Sequence, residues 1–311
     1  MIDALLRRLL SAALTVWLVV TATFLLSSAL PADPARLVAG PHASDAVVER
    51  LRVELGLDQP LPVQYLRHLN GLLHGDLGRS FHSKEPVTAA LARTLPYTGL
   101  LAIGASLVQL GLGLPAGLLA AWRRGGPLDL LTLGLSLLGL SAPTFLWGLL
   151  FMVGLGHEAG LFPLGGAGAG LTGALYGVVL PSLTLGVVGA AATGRLSRGE
   201  LLEVIRRDHV RTARAKGLSE ARVWLQHGLR NAMPAVVTLF ALDLGALLGG
   251  AVVTESVFAW PGMGKLAIDA VLNQDLPVLM GTVLISSCFI IASNLVADLT
   301  NAALDPSSRF S

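Results

Sequence analysis

The sequence predicts an all-α membrane protein, a polytopic bundle of six spanning helices, and three observations carry that reading. Of 311 residues, 53% are hydrophobic and only 14% charged, which leaves too little polar surface for a soluble domain. The apolar residues gather into six stretches, each near or above the ~20 residues that cross a bilayer. Lys and Arg collect on alternate connections between them, the asymmetry expected of a multi-pass chain. The net charge of +2 is too small to argue for nucleic acid, and the lipid bilayer is the expected surrounding.

The predicted spans are residues 9–30, 95–121, 128–156, 171–193, 232–258 and 278–304. Arg7 and Arg8 give residues 1–30 the outline of a signal peptide. Their apolar part outlasts the about 7–15 residues of a cleavable one, so they are read as a first spanning helix. Pro115, Pro143 and Pro181 fall inside spans, where neighbours can re-satisfy the backbone groups a proline frees; kinks, or a break that starts a span later, are expected. Gly113 with Gly117, and Gly245 with Gly249, would let helices approach closely.

Orientation follows from the basic residues. Arg7 and Arg8 precede the first span, and Arg123 and Arg124 follow the second. Nine positive residues (Arg195, Arg198, Arg206, Arg207, Arg211, Arg214, Lys216, Arg222, Arg230) lie between the fourth and fifth. Residues 157–170 hold none and residues 259–277 only Lys265. The positive-inside rule then places both termini in the cytoplasm and residues 31–94, with seven basic and seven acidic side chains, outside. In that outer segment Ser44 can cap a helix with Val47, Val48, Leu51 and Leu55 on one face, and Gly56 can end it. Pro62 opens a second run with Val63, Leu66, Leu69 and Leu73. These two amphipathic helices are either a cap packed on the bundle or a docking surface. Residues 95–311 are the core unit of five spans, with an inner loop at 195–231.

The chemistry of common enzymes is missing from the pattern. Gly262-Met263-Gly264-Lys265 comes nearest to a phosphate-binding loop but lacks its spacing and hydroxyl, so no nucleotide site is expected. No zinc-hydrolase or nucleophile-elbow motif occurs and the seven histidines are scattered, so neither catalytic nor metal-ligating residues are assigned. Cys288, the one cysteine, lies in an apolar run; it excludes an internal disulfide and reads as a small buried hydrophobe. Asp243 stands out in the fifth span. A central Asp costs about 2.5–3.5 kcal/mol to insert while each large apolar residue returns about 0.3–0.6, so the span inserts but the carboxylate needs a partner or a watery cavity. It is a candidate for a translocation path; an interhelical hydrogen bond or a position near the cytoplasmic interface is the alternative. Glu255, Asp298 and Asn294 lie near predicted span ends and read as structural.

About forty residues separate the fourth and fifth spans, more than a turn requires. Residues 206–215 have a helical composition, Gly217 can end that helix in the left-handed conformation, and Ser219 can start the next. Ala221, Trp224, Leu225 and Gly228 would then share a face. A basic helix with small residues at its tip suits a groove on a soluble partner; contact with anionic lipid heads explains the arginines but not the Ala213, Ala215, Gly217 spacing.

This loop resembles the EAA loop of binding-protein-dependent ABC importer permeases. It reads Arg211-Thr212-Ala213, three residues, then Gly217, with Arg211 where the name-giving Glu would stand and the closing proline displaced to Met233-Pro234. Those departures match the dipeptide/oligopeptide/nickel class, as do LGLDQPLPVQY (55–65), HGDLGRS (74–80), PVTAALARTLPYT (86–98), GGAVVTESVFAWPGMGKL (249–266) and NLVADLTNAALDP (294–306). The SSRFS ending departs from the more basic tail usual there. The resemblance implies a type I ABC importer permease with a cytoplasmic coupling helix, set in the bacterial inner membrane. It implies a second homologous permease, one or two ATPase subunits that hold the ATP and magnesium, and an extracytoplasmic solute-binding protein. No cofactor and no enzymatic chemistry are implied for this chain. Contacts to the ATPase carry over to Arg211, Thr212, Ala213, Arg214, Lys216, Gly217 and Leu218. Di- or oligopeptides are the first solute class, nickel or a metal chelate the alternative. Two rivals come from other classes. An ion-coupled secondary transporter would be favoured by an internal repeat, and none is found; an intramembrane enzyme would have only Asp243 and Asp298 to pair.

Overall fold

The computed structural model describes residues 2–29, 33–40 and 42–304, and these form helices and connections without a ladder of strands. The expected end of the first span at Leu30 and the tail from Asp305 lie outside them. The first helix, α1 (Ile2–Ala29), is peripheral. Leu10, Leu14, Trp17, Leu18, Leu25 and Leu26 are exposed, and it leans on the last helix through Arg8 and Asp298 at 3.3 Å. Three short helices follow, α2 (Pro34–Ala39), α3 (Asp45–Glu54) and α4 (Leu61–Leu73). The first was not expected; Asp33 starts it by accepting the Ala35 N–H at 3.1 Å. Ser44 stands before α3 but its hydroxyl makes no capping bond. The fourth helix is fastened to α1 by a Tyr65–Thr21 hydroxyl pair at 2.6 Å and by Phe24, whose ring lies 5.2 Å from Tyr65 and 5.8 Å from His68.

The second span, α5 (Val87–Trp122), holds Pro96 and Pro115 without ending at either, and it starts at Val87 rather than residue 95. The third is broken. α6 (Pro127–Ser141) and α7 (Thr144–Phe151), the latter extended by a π-helical segment Met152–Glu158, meet at 104°. Pro143 explains the break, because the residue before a proline is pushed out of the helical region and Ala142 has ψ 137°. The fourth span is α8 (Gly170–Gly177) and α9 (Val179–Val204); Pro181 has no N–H for the carbonyl of Gly177, which accounts for the interruption. Its end runs beyond the expected residue 193.

After α10 (Asp208–Ala215), a single helical column joins α11 (Glu220–Arg222), a π-helical segment Val223–Leu229 and α12 (Arg230–Leu248). The fifth span therefore ends at Leu248, ten residues before the expected Phe258. Gly249 and Gly250 terminate it: Gly250 has φ +109°, and a Cβ there would come within 2.8 Å of Gly264 backbone. The chain folds back as α13 (Val252–Val257), α14 (Met263–Leu272) and α15 (Leu276–Leu304). Five helices are long and apolar enough to cross a membrane, and the bent α6–α7 pair makes a sixth. Cys288 is exposed on α15 rather than buried, in a helix whose apolar side chains at Ile290, Val296 and Leu299 are exposed too.

The central pair is α5 against α9. A Cβ on Gly113 would sit 2.9 Å from the Ala190 carbonyl oxygen, and one on Gly117 2.5 Å from that of Gly194, so the predicted small-residue stripe brings backbone to backbone. At the end of the bundle carrying α4, Glu255 is fully buried. Its Oε1 accepts the Thr98 hydroxyl at 3.2 Å and its Oε2 the Lys265 N–H at 2.9 Å, while the Met263 N–H donates to Thr98 Oγ1 at 2.7 Å. A Cβ on Gly262 would fall 2.4 Å from the Glu255 carboxyl carbon. The glycines compared above with a phosphate loop thus cradle the chain's own carboxylate at the start of α14. Beside them Trp260, fully buried, donates to the Tyr97 carbonyl at 3.0 Å. Asp275 plays the same part next door, receiving the Ser80 hydroxyl and the Phe81 N–H at 3.0 Å.

At the opposite end Asp129 opens α6 in a fork from Arg198 of α9, with Nη2–Oδ2 at 2.9 Å, and accepts the Gly125 N–H at 2.8 Å. The two side chains are 3% and 19% exposed. Asp129→Ala strands the guanidinium and is expected to cost about 3 kcal/mol, read as a lower melting temperature in detergent. Arg198→Ala should cost as much, and the double variant little more than either; additive losses would contradict the pairing.

Candidate functional site

Two places deserve the name of site, one at each level of the α9–α12 half of the bundle. The first is α10. Asp208 in its first turn and Arg214 in its last complement the helix dipole. Val210 and Ala213, three apart, face inward onto Leu201, Val204, Val223, Trp224 and Ala232. Trp224 in turn stacks on Trp122 at the end of α5, centroids 5.9 Å apart and planes 10° from parallel.

The helix stops in a Schellman turn. Leu218 N–H returns to the Ala213 carbonyl at 3.4 Å and Gly217 N–H to that of Arg214 at 2.9 Å, with Gly217 at φ +78°, the left-handed position that glycine takes without strain. Leu218 packs against the inward cluster. Arg214 then reaches over the turn to grip Glu220 with both prongs, Nε–Oε1 2.8 Å and Nη2–Oε2 3.1 Å. Of the residues assigned to ATPase contact, Arg211, Thr212, Arg214, Lys216 and Gly217 are exposed together on this knob, whereas Ala213 is buried and Leu218 half-buried. On the following helix Val223, Trp224 and Gly228 are buried, while Ala221 and Leu225, expected on that face, are exposed. The π-helical segment widens the turn and shifts the buried stripe.

The second site lies in the membrane-spanning part, in a groove of about 460 Å³ edged by α5, α6, α7, α9 and α12. Gln109 of α5 is 2% exposed and divides its amide hydrogens between Thr193 Oγ1 at 3.0 Å and Asp243 Oδ2 at 2.7 Å. Asp243 is half-buried, makes the interhelical hydrogen bond and also lines the groove. Sequence reasoning missed Gln109 and Thr193. A lone amide inside the second span was the available signal, carrying the same polar-in-membrane cost that singled out Asp243.

A larger cavity, about 620 Å³, lies under α2–α4, where Arg52 pairs with Asp33 at 2.7 Å. Burial pushes the imidazole of His68 there below its ordinary pKa, which keeps it neutral at pH 7. Among the described residues no three of His, Cys, Asp and Glu come together as metal ligands would.

Residues 113–310 match the family described as binding-protein-dependent transport system inner membrane component, and residues 1–102 its N-terminal counterpart. The glutathione transport system permease protein GsiC of Pectobacterium atrosepticum is 42% identical over 311 residues, all of both chains. The GsiC proteins of Salmonella paratyphi A and of an Escherichia coli strain match equally fully, at 42% and 41%. Two inward-facing structures of the MetNI methionine ABC transporter share the fold, with TM-scores of 0.56 and 0.57 at 19% and 18% identity, covering 70% of this chain and 96% and 97% of theirs.

If the inward cluster holds α10, Val210→Asp should release it. Tryptic cleavage after Arg211, Arg214 and Lys216 should then speed up about tenfold, since removing a buried apolar contact of this size costs more than 1.4 kcal/mol. Unchanged cleavage would mean that α10 is held by something else.

Proposed function

We propose, on the premise that the chain belongs to the family of binding-protein-dependent transport system inner membrane components, that it passes small peptides of the glutathione type across the bilayer. The broader statement is firm: the protein is the membrane-spanning permease subunit of an ABC importer, a multi-pass inner-membrane transport component and not an enzyme. Such a subunit works with ATPases and a solute-binding protein. The substrate reading is carried by the end-to-end identity with GsiC proteins. Nothing in those relatives' names favours nickel or a metal chelate, and the family leaves no place for an ion-coupled secondary transporter.

The remaining assignments are part of the same proposal. A second homologous permease completes the path, and ATP and magnesium sit on one or two ATPase subunits that receive α10. The basic residues around α10 and Arg123-Arg124 favour the cytoplasm for that end and for both termini. The exposed Arg211, Thr212, Arg214, Lys216 and Gly217 enter the ATPase groove, while Ala213 and Leu218 hold the knob to the bundle. Movement forced on α10 reaches Asp243 along one column, α11 through α12, roughly 30 Å from Trp224 at an α-helical rise. The Asp243 groove is then the part of the path this subunit lines.

Two measurements test this. At Gly217 a Cβ would meet nothing within 4 Å, so Gly217→Ala should cost only the ~1 kcal/mol of a left-handed alanine and keep most coupling. Gly217→Trp should insert normally yet uncouple ATP hydrolysis from uptake; unchanged uptake and substrate-stimulated ATPase in the Trp variant would reject the coupling role. Separately, the reconstituted complex should accumulate labelled glutathione in an ATP-dependent manner, and uptake of a nickel chelate but not of any small peptide would overturn the substrate class.

A further inference from the structure

We propose that Asp243 is the cation-recognising subsite of the path, the group that takes the α-ammonium of a peptide in passage. This rests on the reading of the Gln109–Asp243 groove as part of the path. The carboxylate is held from one side only. Its Oδ2 accepts from Gln109 at 2.7 Å, Oδ1 receives none of the described hydrogen bonds, and no ion pair among the described residues includes Asp243. An ionised carboxylate at membrane depth without a counter-cation is a costly thing to keep. A cation that arrives with the substrate supplies what the chain omits.

The surroundings set the specificity. Leu140, Leu185, Val188 and Leu247 make the groove apolar, Thr144 adds a hydroxyl, and Asp243 is its one charged group. At about 460 Å³ it falls in the range of small-ligand sites, large enough for a short peptide. Gln109 cannot swing away. Both its amide hydrogens are engaged, and Gly189 lets it lie so close to α9 that a Cβ there would come 2.7 Å from its amide carbon. Gln109 is therefore a positioning residue, fixing Oδ2 of a side chain that lines the groove and leaving Oδ1 outside the described hydrogen bonds. Because that bond already draws charge from the carboxylate, the grip on an ammonium group is loose, as a waypoint requires.

The experiment compares the wild-type and Asp243→Asn permease, each assembled with its partner subunits in proteoliposomes, for uptake of glutathione and of N-acetylated glutathione at matched loading of the binding protein. Asparagine can still accept from Gln109, so the assembly should hold, read as co-purification of the partner subunits. Uptake of the free-amine peptide should fall about tenfold, the worth of one hydrogen bond to a charged group, while uptake of the acetylated peptide keeps its wild-type rate. Gln109→Ala should lower free-amine uptake by a smaller factor, through a raised KM. Equal losses for both peptides would mark Asp243 as structural, and no loss for either would mean that another subunit's cation already neutralises it; both results overturn the subsite. Failure of the wild-type assembly to move either peptide would be a different result, overturning the substrate class on which the subsite rests.

Discussion

The fold turns on a carboxylate that has no contact with water. Glu255 lies fully buried between α5 and the turn into α14, and a buried carboxylate is tolerable only when its oxygens are met by donors. Thr98 and the Lys265 amide meet them, and only glycine at positions 262 and 264 allows the backbone to come that near. The consequences spread outward. Gly250 closes on Gly264, which is what ends α12; Trp260 is driven against Tyr97; and the Phe258 carbonyl receives the Gly166 amide at 2.8 Å, fixing the loop that returns to α8. The groove containing Asp243 is bounded by Gly250 and Ala251, so its rim is set by this knot.

Much of this was legible in the sequence, for reasons that differ from element to element. Span number follows from hydrophobic length, a property of the chain alone, and the six predicted spans agree with five helical spans and one bent pair. Gly217 could be read because a left-handed helix stop has a single favoured residue, and φ +78° is found there. The Gly113–Gly117 stripe was visible for the same reason, since small residues admit a neighbouring backbone.

What stayed hidden depends on partners distant in sequence. Nothing local says that Glu255 will find Thr98, 157 residues away, so the local pattern runs the fifth span on through Gly249-Gly250 and likens the glycines at 262 and 264 to a nucleotide motif. Gln109 escaped notice because its partners Thr193 and Asp243 lie on two other helices. Cys288 was misjudged by composition: in a membrane-spanning chain an apolar stretch is as often the outside as the core, and α15 turns that side outward.

The π-helical segment Val223–Leu229 has a consequence for how the two ends of its column are phased. A π-turn amounts to one surplus residue in an α-helix, and each residue advances the helix by about 100°. The azimuth of Asp243 relative to the Trp224 anchor is therefore set by that surplus. Without it the carboxylate would stand about a quarter-turn further round α12, so one surplus amino acid decides which face of that helix bears the charge.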